Sequence, residues 1–200
     1  MSNADDGLPP SGPALQQAFE ALVSILNERG VRYAIIGGLA TLQHTRVRTT
    51  DDVDALLTVP QTAMPSLFES LRDRGFTVDL ARNIRELRDQ GLTTLRFRDV
   101  MVDLMRPLIP AYAHVLDRAV TIQVLGKVVS LASVEGLIVM KLIAMRPQDQ
   151  SDIRDLLAAY AGSLDLQFIR IEMESFTESG DPRRVWFEEN VRRTTLPDQC

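Results

Sequence analysis

The chain has a single cysteine, Cys200 at its last position, and only two histidines, His44 and His114. One thiol forms no internal disulfide and no thiolate cluster, and two imidazoles are too few for a histidine-rich metal site. Any metal must therefore be held by carboxylate oxygens, which select hard ions such as Mg²⁺ or Mn²⁺. No apolar run approaches the roughly 20 residues that span a bilayer. The first residues include Asp5 and Asp6 and carry no apolar signal core, so the expectation is a cytoplasmic protein with no membrane partner. Positive charge is also scarce: 22 Lys and Arg stand against 27 Asp and Glu, a net charge of −5. That excludes a global basic footprint for nucleic acid and leaves room only for a local patch. What is present is ordinary for a folded protein. With 45% hydrophobic and 24% charged residues over 200 positions, the chain can bury one core, in one domain or one domain with a small appendage.

Residues 1–13 carry Gly, Pro, Ser and Asp without periodicity and are expected to be a disordered lead-in. Leu15, Phe19, Leu22, Ile25 and Leu26 then recur at helical spacing, with Gly30 as the stop. Val31 to Ile36 reads as a strand running into Gly37-Gly38, followed by a short helix over Ala40 to His44. A second strand is expected over Val53 to Val59, ended by Pro60, and a helix over Met64 to Leu71, stopped by Gly75. Leu92 to Phe97 and Val100 to Met105 read as a hairpin turning at Arg98-Asp99, and short strands at Thr121 to Leu125 and Lys127 to Leu131 flank Gly126. After Ser133 the pattern is helical only: Ser133 to Met145, then from Asp149 or Ser151 to Tyr160, Leu164 to Phe176, and Arg183 to Arg193. The organisation read from this is a lead-in at 1–13, an α/β region at 14–131 and a C-terminal helical region at 132–200.

The chemistry concentrates at Gly37-Gly38 and Asp52-Val53-Asp54. Strand residues two apart share a face, so Asp52 and Asp54 lie together while Val53, Ala55, Leu57 and Val59 take the other side. If the extended backbone begins earlier, Thr50 and Arg48 join the acidic face. Two carboxylates this close repel, and a divalent cation removes the conflict. Asp103, inside the apolar run Val100 to Met105, could supply a third ligand from a neighbouring strand. The glycine pair sits where a strand hands over to a helix, where main-chain N–H groups can hold a polyphosphate. Each piece has a plainer reading. Asp-x-Asp is often a solvated turn, a Gly-Gly pair is often only a turn, and Asp103 could be paired with Arg96, Arg98 or Arg106. Their order along one chain, with a strand before the glycines, favours the joint reading.

Gly37-Gly38, thirteen intervening residues (39 to 51), then Asp52-Val53-Asp54 and a later Val102-Asp103-Leu104, resembles the polymerase-beta-like nucleotidyltransferase superfamily. Gly37-Gly38-Leu39-Ala40 with Arg48-Thr49-Thr50-Asp51-Asp52-Val53-Asp54 is similar to its small bacterial branch, which includes the nucleotidyltransferase toxins of abortive-infection systems. Residues 133–157, with Glu135, Lys141, Arg146, Asp149 and Asp152, resemble the helical segment that follows in those proteins. The resemblance spans about residues 31–160. It implies an α/β (α+β) fold with a mixed sheet flanked by helices, followed by a helical segment. It also implies transfer of NMP from a nucleoside triphosphate to an acceptor hydroxyl: a tRNA end, a protein or a small alcohol. Asp52, Asp54 and Asp103 would be both the metal ligands and the catalytic residues. Gly37, Gly38, Arg48, Thr50 and Lys141 would contact the nucleotide. A toxin role with a cognate antitoxin or other partner chain is part of the same expectation. Many relatives carry Ser after the first glycine, where this chain has Gly38, so phosphate contacts at the turn are expected to be main-chain.

Other features admit two readings. Lys141, within the apolar helix Leu137 to Ile143, either snorkels to water or faces the cleft. Arg146, Asp149 and Asp152, spaced by three, are read first as helix support or capping and second as site lining. His44 is read as a satisfied neighbour on its helix. Arg82, Arg85 and Arg88 form either a solvated face or a phosphate surface. The competing function is a binding module on the same fold, sensing nucleotide or pairing with a partner without transfer.

Overall fold

The computed structural model describes residues 12–45 and 50–195. The lead-in expected at 1–13, apart from its last two residues, and the nucleotide contact expected at Arg48 lie outside the described residues.

The chain opens with α1 (Pro13–Glu28), whose apolar stripe Leu15, Phe19, Leu22, Ile25 and Leu26 is buried. Gly30, at φ +60, ends the turn that leads into β1 (Arg32–Ile36). α2 (Gly37–Thr45) follows directly, then β2 (Asp52–Thr58), α3 (Met64–Asp73) and the two-residue β3 (Phe76–Thr77). α4 (Leu80–Asp89) is capped by the Asp79 carboxylate, which accepts from the Arg82 amide. β4 (Leu92–Phe97) and β5 (Val100–Met105) form the hairpin expected at Arg98-Asp99. After α5 (Pro110–Asp117), β6 (Val120–Val124) and β7 (Lys127–Leu131) make a second hairpin. The chain then continues as α6 (Val134–Ala144), α7 (Pro147–Ala159), α8 (Leu166–Phe176) and α9 (Pro182–Thr195).

The seven strands of the described residues form one mixed sheet in the order β3-β4-β5-β2-β1-β7-β6. β2 lies antiparallel to β1 and parallel to β5, so the strands bearing the three candidate acids are neighbours at the centre of the sheet. Central strands are held on both sides, which is where a side chain that must not move is best anchored. Val53, Ala55, Leu57, Val102 and Leu104 are buried on the face away from the acids. α1 packs across β2 and β5, and α4 lies along β4. α6 is apolar all round and buried by α5, α7 and α8. No helix among the described residues is long and apolar enough to cross a membrane.

Candidate active site

Register, not sequence distance, assembles the acids. Asp54 on β2 is paired level with Asp103 on β5, and Asp52 is paired with Met101. β4 extends the pattern, with Thr94 level with Asp103, Arg96 with Met101, and Leu92 with Met105. Paired residues of adjacent strands point to one face. That face therefore reads in rows: Arg96, Met101, Asp52; then Thr94, Asp103, Asp54; then Leu92, Met105, Leu56. The three carboxylates are half-buried.

Each acid has a defined neighbour. The Thr94 hydroxyl donates to Asp103 Oδ1 at 2.6 Å, so the partner of Asp103 is a hydroxyl on β4 and not one of the nearby arginines. The Thr50 hydroxyl donates to Asp52 Oδ1, and Thr50 itself is buried. Asp54 lies against the glycine turn. A Cβ on Gly37 would overlap the Asp54 carboxylate, and one on Gly38 would overlap the Thr50 hydroxyl. Gly37 also has φ +64, in the left-handed region that favours glycine. The two glycines thus let the first turn of α2 close onto Asp54 and onto Thr50, the partner of Asp52, a relation that the spacing alone could not specify. The Thr41 hydroxyl donates back to the Gly37 carbonyl at 2.8 Å and firms that turn.

The helical half contributes from α6 and α7. Lys141 is buried, and its ammonium lies 2.5 Å from Asp152 Oδ2 and 3.9 Å from Asp149 Oδ1. Gln148 donates to the other oxygen, Asp152 Oδ1, at 3.0 Å. The expected phosphate contact of Lys141 therefore meets a different arrangement: the ammonium is engaged inside the α6–α7 packing. Met145, at φ +49, ends α6, and Arg146 caps α7. The Arg146 amide and its Nε donate to Asp149 Oδ2 at 3.0 and 2.7 Å, which makes Asp149 the capping acid. The Arg146 side chain is 75% exposed. Its pKa is raised first by the hydrogen bond to Asp149 and the charge of Asp149, with Asp54 and Asp52 adding to the effect. Arg146 is thus a cation within electrostatic reach of the β2 acids.

Of the residues expected at the site, Gly37, Gly38, Thr50, Asp52, Asp54 and Asp103 come together, and Lys141 is turned into the α6–α7 contact. Thr94 and Arg146 were not among them. A threonine in a strand is unremarkable by itself, and only the register with Asp103 marks it. Arg146 is visible in its motif, where helix support or capping is the first reading and site lining the second. Among the described residues, no three His, Cys, Asp or Glu side chains are gathered closely enough to hold a metal ion.

The fold is shared with solved nucleotidyltransferases at low sequence identity. An antigenic nucleotidyltransferase-like protein from Paracoccidioides brasiliensis superposes with a TM-score of 0.52 at 18% identity, covering 90% of this chain and 94% of that one. The antibiotic-resistance factor ANT(2'')-Ia superposes with a TM-score of 0.55 at 14% identity, over 89% of this chain and 97% of its own. The same factor in complex with adenylyl-2''-tobramycin gives a TM-score of 0.53 at 13% identity, covering 87% of this chain and 98% of that one. Among curated proteins no match to the chain is found. Residues 15–185 match the model of a family described as nucleotidyl transferase of unknown function (DUF2204), and with that span most of the chain is accounted for: it belongs to this family of nucleotidyl transferases.

Proposed function

We propose that the protein transfers a nucleotidyl group from a nucleoside triphosphate to an acceptor hydroxyl and releases pyrophosphate. The observation that carries the reading is the contact of the Gly37 turn with Asp54, which is itself level with Asp103. A phosphate-holding turn and a pair of acids then share one place on the sheet. Main-chain N–H groups at the start of α2, aided by the helix dipole, favour the triphosphate there. Arg48 and Thr50 are assigned to contact with the nucleotide, and Lys141 to holding α7 against α6.

The donor set fits a hard divalent ion, since every candidate ligand is a carboxylate oxygen. Asp52, Asp54 and Asp103 would hold Mg²⁺ or Mn²⁺. A bound ion would neutralise phosphate charge and align the in-line displacement. The rest falls to the chain itself. The acceptor oxygen bonds to the α-phosphorus as the bond from that phosphorus to the leaving pyrophosphate breaks. The acceptor proton is taken by the Asp103 oxygen not engaged by Thr94. Positioning and charge neutralisation supply the rate, so no covalent nucleophile is required.

ATP is the first nucleotide to test, because the solved complex of ANT(2'')-Ia holds an adenylylated aminoglycoside. The same relative puts a small alcohol first among acceptors, ahead of a tRNA end or a protein hydroxyl. A toxin acting with a cognate partner chain belongs to the latter two. The alternative is a nucleotide-binding module without transfer. It is favoured by the ties of Asp52 to Thr50 and of Asp103 to Thr94, which already occupy one oxygen of each acid. Calorimetric titration of ATP with Mg²⁺ or EDTA, on wild type and Asp52→Asn, followed by label transfer from α-labelled ATP, separates the readings. Mg²⁺-dependent binding with label transfer supports the enzyme. Binding without transfer to any of the three acceptor classes supports the module, and no binding removes both.

A further inference from the structure

The two edges of the sheet are unlike. At one end β3 has only two residues, Phe76 and Thr77, and a short strand offers little to an incoming chain. At the other end β6 runs five residues, Val120-Thr121-Ile122-Gln123-Val124, and no strand among the described residues pairs with its outer side. It carries no charge, no proline and no bulge, and its pairing with β7 is continuous from Val120 to Val124. Val120 is 40% exposed, and Val128, opposite Gln123 on β7, is 51% exposed.

The hairpin geometry shows which backbone groups face outward. Val124 and Lys127 flank a two-residue turn, Leu125-Gly126, with φ of +51° and +70°. Positive φ at both positions is the type I′ turn, whose flanking residues hydrogen-bond to each other. Alternation along an antiparallel ladder then directs the backbone of Val124, Ile122 and Val120 toward β7, and that of Thr121 and Gln123 away from it.

The strand is also symmetric about its own centre. Read from either end, it is apolar, polar, apolar, polar, apolar. Placed antiparallel to a second copy with Ile122 on the two-fold axis, it sets Val120 opposite Val124, Thr121 opposite Gln123, and Ile122 opposite Ile122. Apolar meets apolar on the face where Val129 and Leu131 are already buried, and polar meets polar on the other. No like charges meet. We infer that β6 is a self-association edge, and that two copies of this chain join their sheets across it in an antiparallel two-fold pair.

An isologous contact of this kind closes on itself, so it yields a dimer and not a filament. A five-residue edge makes a small interface, so the dimer is expected to be concentration-dependent. The edge lies three strands away from β2, so nucleotide binding is independent of it. Sedimentation velocity from about 1 to 100 µM brackets the dissociation constant expected of a small interface. Wild type should pass from monomer to dimer in that range. The double variant Thr121→Lys, Gln123→Lys sets like charges opposite each other twice and should raise the dissociation constant at least about tenfold. The double variant Thr121→Lys, Gln123→Glu sets opposite charges across the axis and should keep the dimer. Both changes are at exposed positions, and melting curves with unchanged ATP titrations show that the fold persists. A wild type monomeric throughout overturns the proposal. So does a dimer indifferent to the two lysines, or a lysine–glutamate variant that stays monomeric.

Discussion

The Asp54 carboxylate occupies the space that a side chain on Gly37 would need. The turn and the acid therefore fit only because that residue is glycine, and its φ of +64° adds a second requirement for glycine. Gly37→Ala is expected to destabilise the fold by about 1–3 kcal/mol through strain and to push Asp54 out of line with Asp103. Denaturant unfolding measures the first effect and ATP titration the second. Gly38→Ala should act in the same direction by displacing Thr50 from Asp52. Wild-type nucleotide affinity in Gly37→Ala would show that the turn does not bind phosphate through this contact.

Replacing the acids tests chemistry apart from folding. Asp54→Asn and Asp103→Asn keep shape and lose charge, at half-buried positions on strands held from both sides. Transfer should fall by about 10³-fold or more, with little change in the melting temperature. Thr94→Val removes the hydrogen bond to Asp103 and should reduce transfer by about tenfold, the effect of roughly one net hydrogen bond. Thr94→Ser should restore it. Full transfer in Asp103→Asn sinks the assignment of that residue.

Much of this architecture is legible in the sequence. Alternation around Asp52 and Asp54 revealed the acidic face, and Gly30, Pro60 and Gly126 marked element ends. The Arg98-Asp99 hairpin and the change to helices after Leu131 were also readable. These signals are local, carried by periodicity two or 3.6 and by turn residues. What could not be read depends on pairing across long stretches of chain. The register of Asp54 with Asp103 is one case, and the hydroxyl of Thr94 facing Asp103 follows only from it. Lys141 is another. Its helix is apolar on every side, so periodicity offered no face to assign, and the acid that engages it sits on the next helix. The helix Pro110–Asp117 is not among the elements expected from the sequence; it spans only eight residues, too few for helical periodicity to stand out.

Lys141 and Asp152 form a buried ion pair, each side chain less than a tenth exposed. Removing one member of such a pair strands the other charge in a poor solvent. Lys141→Met should therefore destabilise the protein by about 3 kcal/mol or more, whereas Lys141→Met with Asp152→Leu should recover most of that loss. Denaturant midpoints give both numbers, and ATP titration of the double variant separates the roles. Retained affinity means that Lys141 acts by holding α6 to α7. Lost affinity with recovered stability means that its ammonium reaches the phosphates in the bound state.

His44 gives the fold a dependence on pH. Its Nδ1 lies 2.8 Å from the Tyr160 hydroxyl. Burial lowers its pKa below the ordinary histidine value, and the backbone of Ala132 and the charge of Glu135 only partly oppose this. The unfolded chain therefore binds the proton more readily than the folded one. The stabilising contribution is present above the unfolded value of about 6.5 and is lost as pH falls from there through the lower folded value. The melting temperature of wild type should drop between pH 7 and pH 5.5 more steeply than that of His44→Gln, whose amide can still meet Tyr160. Only the difference between the two slopes reports on His44, because every other group is common to both proteins. A wild type that gains stability over the variant on acidification would mean that His44 is charged in the fold, with the sign of the argument reversed.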